Sequence, residues 1–99
     1  MPIVTAAQQL GAQTMVTHAD AAINGGAAAM QILPANASRV TVFIFNVGAN
    51  TARLGDANTA AAQGAPLPSN QGITIETTDP IYAYAASNTT LAILEAVRL

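Results

Sequence analysis

The stretch Arg39-Val40-Thr41-Val42-Phe43-Ile44-Phe45-Asn46-Val47 decides the fold class. β-Branched and aromatic side chains fill it, and these suit a pleated, partly buried surface better than a helix. Pro34 and Asn36 precede it, and Gly48-Ala49-Asn50 ends it. Side chains alternate across a strand, so one face carries Val40, Val42 and Ile44 while the other carries Phe43, Phe45 and Val47. Both faces are apolar, where a strand wet on one side would show polar residues there. The second face therefore needs a cover, either the amino-terminal residues or another subunit.

Further strands follow toward the carboxyl end. Thr51 to Leu54 is a short strand ending at Gly55-Asp56, and Ala60 to Ala65 is a candidate for another before Pro66 and Pro68 break the pattern. After the turn Ser69-Asn70-Gln71-Gly72, the run Ile73-Thr74-Ile75-Glu76-Thr77 alternates, with both isoleucines on one face and Thr74 and Glu76 on the other. Ile81 to Ala85 and Thr89 to Val97 are separated by the turn Ser87-Asn88, and Leu91 to Leu94 is again apolar on both sides.

Toward the amino end, Asn24-Gly25-Gly26 signals a turn, because both glycines accept positive φ without steric cost. A strand from Ala28 to Leu33 is expected after it. Thr14 to Thr17 reads as a short strand, whereas residues 1–12 read as an irregular arm, with an edge strand of the same sheet as the alternative. The expected architecture is all-β: a small β-sandwich or jelly-roll-like barrel of seven to eight short antiparallel strands over residues 13–99, preceded by the arm.

Composition narrows the function. Ninety-nine residues suit one domain, but much of the 52% hydrophobic content is alanine. A buried methyl contributes about 0.8 kcal/mol against about 1.5–3 for a large aliphatic or aromatic side chain. Such a thin core gains from assembly, in which a partner buries what the domain leaves uncovered. Arg39, Arg53 and Arg98 are the only basic side chains apart from His18, set against five carboxylates. No basic stripe exists to neutralise phosphates, so neither nucleic acid nor an anionic membrane surface is an expected partner. Without cysteine there is no disulfide framework and no thiolate metal site. The first residues lack the charged flank and apolar run of a secretory signal, so synthesis in the cytoplasm is expected.

Reactive groups are few. His18 and Asp20 would share a strand face and supply two metal ligands, but no third lies nearby in the sequence, and His18 reads as a surface or loop histidine. Asp56 beside Gly55 and Asp79 beside Pro80 fit turn chemistry. Glu76 and Glu95 sit on strand positions expected to face solvent or an interface, with nothing to split them into an acid and a base. No nucleophile elbow or phosphate-cradling glycine loop is present. The expectation is a protein that is not an enzyme and needs no cofactor or metal. Tyr82 and Tyr84 share a strand face, which suits packing or subunit contact first and a sugar-stacking platform second.

The run Phe43-Ile44-Phe45-Asn46-Val47-Gly48 to Ala52-Arg53-Leu54-Gly55-Asp56, then Gln63-Gly64-Ala65-Pro66-Leu67, Ile73-Thr74-Ile75-Glu76-Thr77 and Ile81-Tyr82-Ala83-Tyr84-Ala85 resembles small virion proteins of tailed bacteriophages. The shared features are a strand ending in a polar turn, an Arg-Leu-Gly-Asp segment, a Gly-x-Pro-Leu corner, a Thr-rich strand and an Ile-Tyr-Ala strand. The amino-terminal third lies outside the likeness. What the resemblance implies is a capsid decoration (cement) protein on the virion surface, often a homotrimer, with the major capsid protein and its own copies as partners. Head-fibre and tail modules that bind a receptor or carbohydrate are the alternative, with Tyr82 and Tyr84 or the loop residues Asn50, Asn58 and Asn88 touching the ligand. The expected interface residues are Val4, Phe43, Phe45, Tyr82 and Leu94, with the arm gripping a neighbour.

Overall fold

The computed structural model describes residues 13–98. The expected arm over 1–12, Val4 within it, lies outside the described residues. Nine strands and no helix occur among the described residues: β1 (Gln13–Thr17), β2 (Ala21–Ile23), β3 (Met30–Leu33), β4 (Arg39–Asn46), β5 (Ala52–Gly55), β6 (Ala65–Leu67), β7 (Gly72–Ile75), β8 (Ile81–Ala85) and β9 (Thr89–Arg98). They form two antiparallel sheets. The first runs β1-β9-β4-β7, with β2 also paired to β9, and the second runs β3-β8-β5-β6. The fold is a small β-sandwich.

The core lies between the sheets and is asymmetric. Val42, Ile44, Leu91 and Ile93 project from the first sheet, whereas the second contributes Ala52, Ala83 and Ala85 beside Leu33, Leu54 and Ile81. Small residues on one layer admit the bulk of the other, which is how an alanine-rich chain still fills a two-layer interior.

Several boundaries differ from the sequence reading. Residues Ala60 to Ala65 do not form a strand; β6 begins at Ala65 and passes through Pro66. Proline is tolerated because β6 is an edge strand, hydrogen-bonded among the described residues to β5 alone. The three-residue β2 was not expected at all. It continues β1 along the same edge of β9 after a break at residues 18–20. The strand expected from Ala28 starts at Met30. Asn24-Gly25-Gly26 carries the chain from β2 in one sheet to β3 in the other, and does not join paired strands. Only Gly26 adopts positive φ, 76°. Gly25 is needed for space, because a Cβ there would stand 2.6 Å from the Ser87 Cα.

One irregularity reorders the central strand. Arg39 is opposite Val97 and Thr41 opposite Ala96, so Val40 is an extra residue in β4. This bulge reverses the alternation on its amino-terminal side. Val40 is half-buried at the bulge and does not join Val42 and Ile44 in the core; Arg39 takes the inward position instead.

Candidate functional site

The outer face of the first sheet follows from the register. Phe43 lies between Leu94 on β9 and Thr74 on β7, and Phe45 lies between Ala92 and Gly72. Thr41 is opposite Ala96, which in turn is opposite Met15 on β1. Phe43, Met15 and Val47 are 42%, 69% and 49% exposed. The two phenyl rings stand 6.3 Å apart at 32° and lie over Gly72. A Cβ at Gly72 would sit 2.7 Å from Phe43 Cε1 and 3.1 Å from Phe45 Cδ2. Glycine lets ring atoms of both phenylalanines approach the β7 backbone closely. The paired positions around Phe43 and Phe45 carry no charge.

The second sheet's outer face is different. Tyr82 is opposite Gln31 and Gly55, and its hydroxyl donates to Gln31 Oε1 at 3.2 Å. Tyr84 is opposite Arg53, whose Nη1 donates to the Gly64 carbonyl at 2.9 Å. Of the expected interface residues, Phe43, Phe45 and Leu94 come together, while Tyr82 stands on the opposite outer face of the sandwich. A single contact surface cannot hold all four. Met15, which joins the first group, was not anticipated, since only the β1–β9 register brings it beside Ala96.

The inward-turned Arg39 builds a charged plug at one end of the core. Its Nε donates to Glu95 Oε2 at 2.5 Å, Nη1 to the carbonyls of Thr77 at 3.2 Å and Asp79 at 2.8 Å, and Nη2 to the Pro34 carbonyl at 2.5 Å. His18 Nε2 lies 2.6 Å from Glu95 Oε1. Glu95 is therefore buried, not facing solvent or an interface as its charge had suggested. Burial alone would raise its pKa, but hydrogen bonds from Arg39 and His18, and their charges, hold it below the usual glutamate value. His18 is half-buried and tied to Glu95, and among the described residues no group of three potential ligands surrounds a metal position.

At the other end of β4, Asn46 forms a neutral plug. Its Nδ2 donates to the carbonyls of Asn50 at 2.7 Å and Leu67 at 2.9 Å, while Oδ1 accepts from Gly48 N at 3.0 Å and Thr89 Oγ1 at 2.8 Å. Among the described residues no buried side-chain polar atom lacks a partner. These groups tie the two ends of the core to the surrounding loops.

Two hollows remain. A cleft of about 340 Å³ opens between β7 and the β5–β6 side of the second sheet, walled by Leu54, Ala65, Ile73, Ile75 and Ile81 with exposed Asp56 and Asp79 among its lining. A smaller hollow of about 230 Å³ involves Arg53, Ala61 and Tyr84. No protein-family model matches the chain, and no curated protein matches it.

Proposed function

We propose that this chain is a non-enzymatic structural protein of a phage virion, a capsid decoration protein that assembles as a homotrimer and stabilises the shell by bridging major capsid subunits. The observation that carries this reading is the uncharged outer face around Phe43, Phe45 and Leu94, with Phe43 42% exposed. Interface centres are depleted of charge and enriched in aromatic and Met side chains, as this face is. The absence of a side chain at Gly72, beside the two rings, suits close contact with another surface. The resemblance of the Phe43–Ala85 stretch to tailed-phage virion proteins supplies the kind of partner.

The test is co-sedimentation with capsid shells built from the major capsid protein of the same particle. The wild-type chain binds and raises the shells' resistance to heat, and Phe43→Ser with Leu94→Ser does not bind. Wild-type chain that ignores capsids but binds purified host envelope would overturn the reading. The second reading, a receptor- or carbohydrate-binding module, draws support from the hollow that holds Tyr84 and Arg53 together, an aromatic face beside a cation. A glycan array screened with wild type and Tyr84→Ala separates the two.

A further inference from the structure

The cleft beside β7 is an unfinished edge of the sandwich. Ile73 and Ile75 point to the core side of the first sheet yet are only half-buried, because nothing among the described residues closes the gap over them. Both walls are edge strands. Among the described residues β7 pairs only with β4, and β6 only with β5. The β7 edge thus leaves backbone donors and acceptors free for an extended segment laid along it, while β6, with Pro66 at its centre, contributes apolar wall but no donor there.

We propose that this cleft receives residues 3–5, Ile3-Val4-Thr5, from a second copy of the chain. This rests on the self-assembly proposed above and adds a second contact between the copies. Ile3 and Val4 match the apolar walls. Residues 1–12 contain no charged side chain, so Asp56 and Asp79 meet no like charge on entry.

The position of the segment favours a neighbour. Gln13 pairs with Arg98 on β1, at the edge of the first sheet opposite β7. A donor leaving one edge and an acceptor at the other make a head-to-tail contact, which closes into a ring when the rotation allows. Within one chain the segment would cross three strand spacings, about 14 Å, round the Thr77–Pro80 turn held by Arg39, and then enter the cleft. Residues 6–12 reach about 24 Å at full extension, so the crossing alone takes more than half of that reach, whereas a neighbour imposes no such limit.

The chain has no cysteine, so engineered pairs read cleanly. Val4→Cys chain is mixed with Ala65→Cys chain in full-length protein, oxidised mildly and run without reductant. The expected result is a band at twice the chain mass, well above that from either variant alone, with the far-ultraviolet spectrum unchanged. Ala65 is exposed at the start of β6, so the fold should tolerate the change. A double variant that closes an internal disulfide while the mixture gives no dimer would overturn the proposal in favour of the chain's own segment. Absence of any cross-link in a mixture that sedimentation shows to be assembled would overturn the docking and leave the assembly reading standing. A wild-type chain that sediments only as a monomer would sink both.

Discussion

Strand β4 has two sides, and they are finished differently. On the inner side Arg39, Val42, Ile44 and Asn46 are buried, and no buried polar atom of the two polar side chains lacks a partner. On the outer side Phe43 and Phe45 have neighbours along the sheet but, among the described residues, no layer above them. The inner side is closed by the described residues themselves; on the proposed reading the outer side is closed by a partner. Changes inside should therefore alter stability, while changes outside should alter assembly and leave the fold almost intact.

The largest loss is expected inside. Glu95→Ala leaves the Arg39 guanidinium buried with no anion, at a cost of about 3–5 kcal/mol, which for a domain of this size is much of the total. Urea titration of monomeric protein measures it. Replacing Arg39 by Met and Glu95 by Leu together should recover most of the loss, because no unpaired charge remains. The same plug sets a pH dependence. Glu95 has a lowered pKa in the folded chain, so its contribution is fully present above the ordinary glutamate range and is lost as pH falls through the lowered value. The urea midpoint should drop on acidification, and Glu95→Gln should flatten that slope.

A smaller loss is expected at the neutral end. Asn46→Ala orphans the Thr89 hydroxyl and the Gly48 N–H as well as two carbonyls, for about 1–3 kcal/mol. Outside, Phe43→Ser should cost only about 1 kcal/mol, since the ring is already partly in water, yet should weaken association sharply. The least change in stability is expected for Gly72→Ala, which lifts both rings off the backbone and should appear as altered near-ultraviolet ellipticity and weaker association.

The contrast between the two sides was partly legible in the sequence. The apolar alternation of Val42 to Phe45 and of Ile73 to Glu76 identified strands and faces from local chemistry alone. The charged plug was not legible, because it depends on the Val40 bulge: strict alternation puts Arg39 outside and leaves Glu95 without an inward partner. The role of Gly72 was hidden for a similar reason, since only the β4–β7 register places it under Phe43 and Phe45. Strand β6 was obscured by Pro66, which breaks a central strand but not an edge. That Tyr82 stands on the opposite outer face from the phenylalanines was not legible, because strand patterns reveal which residues share a face of one strand, but not which sheet the strand joins.

The most direct test of an outer face built for contact is sedimentation velocity over a range of concentrations, comparing wild type with the Phe43→Ser, Leu94→Ser double variant. The expected result is a wild-type trimer and a variant monomer with a nearly unchanged unfolding midpoint. Wild type that stays strictly monomeric at high concentration, or a variant that assembles as wild type does, would contradict it.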